Sequence, residues 1–235
     1  ARYYFGDFSL RRYRRAAQIV VDSQHSRAAL LQYLRDFDED RVIVVYPGVN
    51  AEFRALQRSA GDARTILAVG TVERRKNLEL LVRALARLPR ARLCAVGPST
   101  TYAAECLELA RRLGVADRFT LAGYVALDAL LSLYRSCAVV AVPSLYEGFG
   151  YAAAQALCAG VPCVVSDRTS LPEVVRDDAR VVPADDLGGW ITALQGALDG
   201  HDDARASQAR PAAIARFSWE TAAERIERVY ARALQ

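Results

Sequence analysis

The chain has 235 residues, 52% hydrophobic and 25% charged, enough apolar material to bury a sizeable core in one or two domains. Its formal net charge is +4, and residues 1–15 carry five arginines against Asp7, so the remainder is neutral and lacks the basic footprint of a nucleic-acid-binding domain. No apolar run approaches the ~18 residues of a membrane span, and nothing at the start of the sequence reads as a signal peptide.

The opening stretch, "ARYYFGDFSLRRYRR", interleaves Arg11, Arg12, Arg14 and Arg15 with Tyr3, Tyr4, Phe5, Phe8 and Tyr13. Cations mixed with aromatics suit a helix lying on anionic lipid; the plainer alternative is a helix packed on a neighbouring domain. Strand-length apolar runs then alternate with helical periodicities. "QIVVDS" leads to "SRAALLQYLRDF", "RVIVVY" to a loop, "TILAVG" to "NLELLVRALARL" and "RLCAVG" to "TYAAECLELARRLG". "RFTLAG" pairs with "LDALLSLY", "AVVAVP" with "YAAAQALCAG" and "PCVVSD" with "LPEVV", before "ARVVP" and the closing helices. Short β-branched strands without polar alternation are buried on both faces, as in a parallel sheet flanked by helices. From Thr65 onward the sequence therefore predicts an α/β fold, a Rossmann-like doubly wound parallel sheet.

A domain boundary is expected near Val49, because residues 1–48 are too few for an independent domain and read as the end of something larger. Residues 49–216 then form the Rossmann-like domain, and 217–235 a final helix capped by Ser218 with Ile226, Val229 and Ala233 on an apolar stripe. Cys94, Cys106, Cys137, Cys158 and Cys163 stand in apolar stretches without metal-ligand spacing. They read as buried reduced thiols of a cytoplasmic protein.

Ligands of such sheets bind at the carboxyl ends of the strands. The loops there are "GTVERRKN" (70–77), "GPST" (97–100), "GYVALD" (123–128), "PSLYEGFG" (143–150) and "SDRTSLPE" (166–173). Gly148 and Gly150 allow backbone N–H groups to approach a ligand at a helix N-terminus, where partial positive charge suits a phosphate. Glu147 is unwelcome beside phosphate oxygens but accepts hydrogen bonds well from sugar hydroxyls. Taken alone, the stretch also fits a simple helix cap. Arg75 and Lys76, the latter the only lysine of the chain, stand on the same edge before a helix whose N-cap reads as Asn77. Cations facing a helix N-terminus make a pyrophosphate clamp. The D-x-D of "DFDED" (36–40) reads as a solvated turn, and His25 and His201 have no companions at ligand spacing. No metal site is expected.

"VGTVERRKNLELLVRALARLP", "AGYVALDALLSLYRSCAVVAVPSLYEGFG", "ALCAGVPCVVSDRTSLPEVV" and "RFSWE" together resemble the C-terminal half of the retaining GT-B glycosyltransferases of family 4. The resemblance runs from about residue 17 to the end. It implies two Rossmann-like domains facing a cleft, the C-terminal one binding the nucleotide-sugar donor and the N-terminal one the acceptor. Residues 1–48 would be the remnant of the acceptor domain, and the last helix would pack back toward it.

Carried over by position, Lys76 matches the lysine that neutralises the donor diphosphate, with Arg75 beside it. Thr71 stands where some members place an arginine. Glu147 matches the first glutamate of an E-x7-E pattern and contacts the transferred sugar. The amides of Gly148, Phe149 and Gly150 match the diphosphate cradle, and Tyr124 and Val125 the backbone near the base. Gln155 matches the second glutamate, the ribose contact, with an amide in place of the carboxylate. Eight residues at helical spacing would set Gln155 two turns beyond Glu147. The implied activity is metal-independent transfer of a hexosyl group, with retention, from a UDP- or GDP-sugar to a glycan or lipid-linked acceptor, without a cofactor. Such chemistry belongs to bacterial polysaccharide or lipopolysaccharide biosynthesis, in the cytoplasm with peripheral inner-membrane contact through residues 1–15. The alternatives are a non-catalytic nucleotide-sugar-binding module and a fragment lacking its acceptor domain. A GT-B epimerase would need cleft acids and histidines that the sequence does not offer.

Overall fold

Short β-branched strands cannot be solvated on either face, and here they assemble into one covered parallel sheet. The structure, a computed structural model, describes residues 12–34, 37–58 and 64–234. The sheet contains β3 (Thr65–Val69), β4 (Arg92–Val96), β5 (Phe119–Gly123), β6 (Val139–Val142), β7 (Cys163–Ser166) and β8 (Arg180–Val182), in the order β5-β4-β3-β6-β7-β8 with every pair parallel. Successive residues of a strand point to opposite faces. Ile66, Val139 and Val164 enter one core while Leu67, Val140 and Val165 enter the other.

The first core is closed by α3 (Leu78–Leu85), α4 (Tyr102–Arg112) and α8 (Leu187–Leu198). The second is closed by α2 (Ala51–Arg54), α5 (Leu127–Ser136), α6 (Tyr151–Ala159), α7 (Leu171–Val175) and α9 (Asp203–Arg216). Seven of the nine residues of α6 are buried, which is why it sits at the centre of that face.

Residues 12–48 lie outside this sheet. Strands β1 (Ile19–Val21) and β2 (Val42–Val44) pair in parallel, with α1 (Gln24–Tyr33) between them in sequence and a small core of Ile19, Leu34 and Val42. The unit is tied to the larger sheet by polar contacts. Glu173 of α7 accepts from the backbone N–H groups of Gln24 and His25 at 2.9 and 3.0 Å and from the Tyr46 hydroxyl at 3.1 Å. Ser23, the α1 N-cap, donates to the Gly148 carbonyl at 2.6 Å. The segment after β2 is not a plain loop, since α2 buries Phe53 and the Val49 N–H donates to the Phe217 carbonyl at 2.8 Å.

Helix α10 (Trp219–Ala233) is capped by Ser218, which accepts from the Thr221 N–H at 3.0 Å. Ala222 and Val229 are buried and Ile226 half-buried, whereas Ala233 is exposed and falls off the expected stripe. Most of the basic, aromatic opening, residues 1–11, lies outside the described residues. Among the described residues no helix is long and apolar enough to cross a membrane.

Arg210 joins three elements of the second face. Its guanidinium donates to the carbonyls of Cys158, Arg54 and Leu56 at 3.0, 2.9 and 2.7 Å. Charge-assisted bonds to buried carbonyls contribute more than neutral ones, and a stranded acceptor adds its desolvation cost. Arg210→Ala should lower unfolding free energy by about 3 kcal/mol, read from urea denaturation; a loss below about 0.5 kcal/mol, the range of ordinary surface changes, would show that water replaces the guanidinium at no cost.

Candidate functional site

Strand order reverses at β3: the chain runs outward through β4 and β5, then returns to the other side of β3 with β6. An α/β sheet opens a crevice at such a switch point, outside the carboxyl ends of the two diverging strands. The loop after β3 carries Arg75 and Lys76, and the loop after β6 carries Glu147 to Gly150. The two loops are joined directly, the Leu145 N–H donating to the Arg75 carbonyl at 2.7 Å. Between them lies a cleft of about 680 Å³ whose walls include Asp22, Gly70, Arg75, Lys76, Glu147, Gly148, Phe149, Gly150 and Gln155.

Glu147 is 7% exposed, so its charge needs partners. Lys76 Nζ lies 2.6 Å from Oε1 and Arg75 Nη1 lies 3.3 Å from Oε2. The buried Ser144 hydroxyl donates to Oε1 at 2.8 Å. Ser144 is fixed in turn through its carbonyl, which accepts from the buried Ser166 hydroxyl at 2.5 Å. An ammonium has three donors; with one on Glu147, Lys76 keeps others for a ligand. Arg75 also donates to the Tyr146 carbonyl and pairs with Glu73 at 2.8 Å.

Gly150 starts α6 at φ +99°, and a Cβ there would meet Leu171 Cδ2 at 2.7 Å. That turn brings the N-terminus of α6 to the cleft. Among the described residues no hydrogen bond is made by the N–H groups of Gly148, Phe149 and Gly150, and all three residues line the cleft. The Phe149 side chain points away into the core, 5.5 Å from Phe217 and 6.0 Å from Tyr46 between ring centres. The loop is held from behind by Ser170, buried, whose single hydroxyl proton is shared between the carbonyls of Glu147 and Phe149 at 3.0 and 2.9 Å. The Glu147 N–H donates to the Thr169 hydroxyl at 2.9 Å.

Gln155 lines the same cleft, but not for the helical reason expected. The left-handed turn at Gly150 breaks the phase before Glu147 is reached. Its carbonyl is also already engaged, accepting at 3.0 Å from the hydroxyl of the fully buried Tyr134. Burial raises the Tyr134 phenol well above its ordinary pKa, keeping that donor in place. The Gln155 carbonyl keeps a second lone pair, and its Nε2 group makes no hydrogen bond among the described residues.

Asn77 stands where the N-cap of α3 is expected. It occupies the N-cap position of α3 in a left-handed conformation, φ +53°, with no side-chain cap bond. Its amide instead donates to the carbonyls of Pro143 and Ala184, both at 3.2 Å, tying the Lys76 loop to the base of the Glu147 loop. Thr71 lines a small recess adjoining the cleft with Gly70, Lys76 and Ser144. Tyr124, 83% exposed, and Val125 follow β5 on the same edge, outside the cleft lining. Asp22, Ser144, Thr169 and Ser170 were not singled out from sequence, and only the "PS" before "LYEGFG" offered a local signal.

Among the described residues no group of three His, Cys, Asp or Glu side chains could hold a metal ion. Asp38 of the D-x-D stretch caps a short turn through the Asp40 N–H at 3.0 Å. The five cysteines are free, and burial pushes the thiols of Cys106 and Cys158 up to about 11 and Cys137 to about 12. A second cavity of about 390 Å³ lies at the amino ends of β3 and β4, lined by Arg64, Pro89, Arg90, Gln195 and Asp199. It brings no glycine-opened turn or helix N-terminus to a cation.

Residues 49–208 match the family model of glycosyl transferases group 1. The D-inositol 3-phosphate glycosyltransferase of Mycolicibacterium smegmatis is 31% identical over 93% of the chain and 54% of its own length. The enzyme of that name from Xylanimonas cellulosilytica is 36% identical, with 93% and 58% covered. The chain thus spans about half the length of the curated relatives it matches. Among solved structures, Anabaena HepE in complex with UDP and glucose superposes with a TM-score of 0.84 at 20% identity, over 98% of this chain and 69% of that one. Sucrose-phosphate synthase from Thermosynechococcus elongatus gives 0.78 at 28% identity, over 92% and 58%. With the switch-point cleft, the six-stranded parallel sheet and the matched family model in agreement, the chain belongs to the group 1 glycosyl transferases and has the fold of their GT-B members.

Proposed function

We propose that the chain is the donor-binding half of a retaining, metal-independent hexosyltransferase using a nucleotide-diphosphate sugar. The observation that carries this is the Lys76–Glu147 pair at 2.6 Å, beside the three open N–H groups at the start of α6. The diphosphate lies between the cations and those amides, and the sugar lies against Glu147, which accepts from its hydroxyls. As the anomeric C–O bond breaks, negative charge grows on the departing nucleotide. Lys76, Arg75 and the α6 N-terminus stabilise it, the work a metal does elsewhere. The acceptor hydroxyl attacks from the face the nucleotide leaves and passes its proton to the departing phosphate oxygen, which preserves the anomeric configuration. The solved complexes of HepE with UDP and with UDP-glucose support a uridine nucleotide as the first ligand to test, with GDP as the second.

In this reading residues 1–48 belong to the acceptor domain of a longer protein, and 217–235 pack toward it. The acceptor is a glycan or a lipid-linked molecule. No cofactor takes part. Because the chain spans about half of its curated relatives, a non-catalytic nucleotide-sugar-binding module is the second reading; binding without sugar turnover on a panel of acceptors would favour it.

Lys76→Ala should weaken nucleoside-diphosphate binding by about 1.5–3 kcal/mol, the cost of a lost charge-assisted hydrogen bond. Calorimetric titration with UDP and GDP in EDTA measures it. Unchanged affinity for the nucleotide that binds wild type removes Lys76 from the site, and binding that requires added magnesium removes metal independence.

Gln155→Ala should cost about 1 kcal/mol of nucleotide affinity through loss of the Nε2 donor. Tyr134→Phe should weaken binding less, by freeing the amide to rotate, while Gln155→Glu keeps the Tyr134 bond and should preserve affinity, accepting from the ribose hydroxyls. A destabilised Glu variant together with an Ala variant of wild-type affinity would confine Gln155 to packing.

Residues 1–15 are proposed to hold the protein on anionic inner-membrane lipid, with the cytoplasm as its compartment. Sedimentation should be stronger with phosphatidylglycerol than with phosphatidylcholine vesicles and weaker at high salt; equal sedimentation ends this part of the reading.

A further inference from the structure

A second carboxylate reaches the donor cleft from a different part of the chain. Asp22 follows β1, and its side chain lines the cleft with Glu147 and Lys76. Its two oxygens are in different situations. Oδ1 accepts from the Ser26 hydroxyl at 2.6 Å and lies 3.5 Å from the Ser23 hydroxyl. Oδ2 has no hydrogen bond or ion pair among the described residues, and it lies 3.2 Å from where a Cβ on Gly148 would stand.

This arrangement is rigid. The same Ser23 hydroxyl is 2.6 Å from the Gly148 carbonyl, and the Ser26 hydroxyl is 3.4 Å from it. One pair of serines thus fixes the Asp22 carboxylate and the glycine loop relative to each other. Any side chain at position 148 would crowd Oδ2, so the glycine there keeps space open beside the carboxylate as well as beside the backbone. The Asp22 charge also acts on Tyr151, whose phenol pKa is raised first by burial and then by this carboxylate.

A carboxylate oxygen without a partner at this place accepts well from an uncharged group rich in O–H donors. We infer that Asp22 is a specificity-determining residue of the sugar subsite, its Oδ2 accepting a hydrogen bond from a hydroxyl of the sugar carried by the nucleotide. The inference rests on the donor reading above and adds to it a contact from the N-terminal segment. The carboxylate selects sugars with a hydroxyl in reach and holds them beside Glu147.

Asp22→Asn is the test, because the substituted amide can keep its carbonyl on Ser26 while an NH2 group replaces Oδ2. Affinities for UDP and UDP-glucose, and for GDP and GDP-mannose, are measured by calorimetry on the wild type and the variant. The expected result is a loss of about tenfold for the nucleotide-sugar, as a charged acceptor becomes a donor, with nucleoside-diphosphate affinity unchanged. The unchanged diphosphate arm also reports that the glycine loop is intact. Equal losses in both arms would make Asp22 a support of the loop and overturn the inference, as would no loss in either. A wild-type chain that binds none of the four ligands overturns the donor reading itself, a result distinct from the failure of Asp22 alone.

Discussion

A carboxylate removed from water must be neutralised where it stands, or it will take up a proton or drive the local structure apart. Glu147 is the residue on which that demand falls. Meeting it requires Lys76 and Arg75 from another loop, and it requires those two loops to stay in register. The Leu145–Arg75 backbone bond and the Asn77 amide on the Pro143 carbonyl keep them so. The cations are thereby delivered to the carboxyl edge of β3 and β6, next to a helix N-terminus that carries partial positive charge of its own. The strand order, the loop contacts and the buried charge solve one electrostatic problem together.

The wall of the cleft separates backbone work from side-chain work. Phe149 anchors its peptide by burying its ring among Tyr46, Tyr151 and Phe217, so the N–H groups around it are presented with little freedom. Small alanines along α6 let that helix press into the sheet. Hydroxyls of Ser144, Thr169 and Ser170 close the rear of the loop. Preorganisation of this kind lowers the ordering cost of binding a flexible ligand.

Much of this was legible in the chain. Uninterrupted β-branched strands declared the parallel sheet, and Lys76, Glu147 and the glycines after it identified themselves by their place at strand ends. What could not be read were relations between distant segments. Gln155 and Tyr134 stand 21 residues apart and meet only because α5 and α6 pack against each other. The phase argument for Gln155 failed because a left-handed glycine resets the backbone, an effect that counting residues does not capture. Asn77 has the composition of a cap, but its amide serves two carbonyls far along the chain instead. Asp22 carries no local signal: its meaning comes from Gly148, which lies on another element altogether.

Glu173 and Gly148 bear on how such proteins recombine. The carboxylate of one and the carbonyl of the other both receive donors from the segment around Ser23, Gln24 and His25. A crossover at the expected boundary near Val49 would exchange those donors for a stranger's. Splicing this sheet onto the corresponding preceding segment of a relative would then leave a half-buried carbonyl and a helix-capping carboxylate to a foreign turn. The unit these contacts hold together is therefore larger than the Rossmann-like sheet and begins at β1, so grafts that carry β1 and the first turn of α1 with their own glycine loop are the ones this geometry permits.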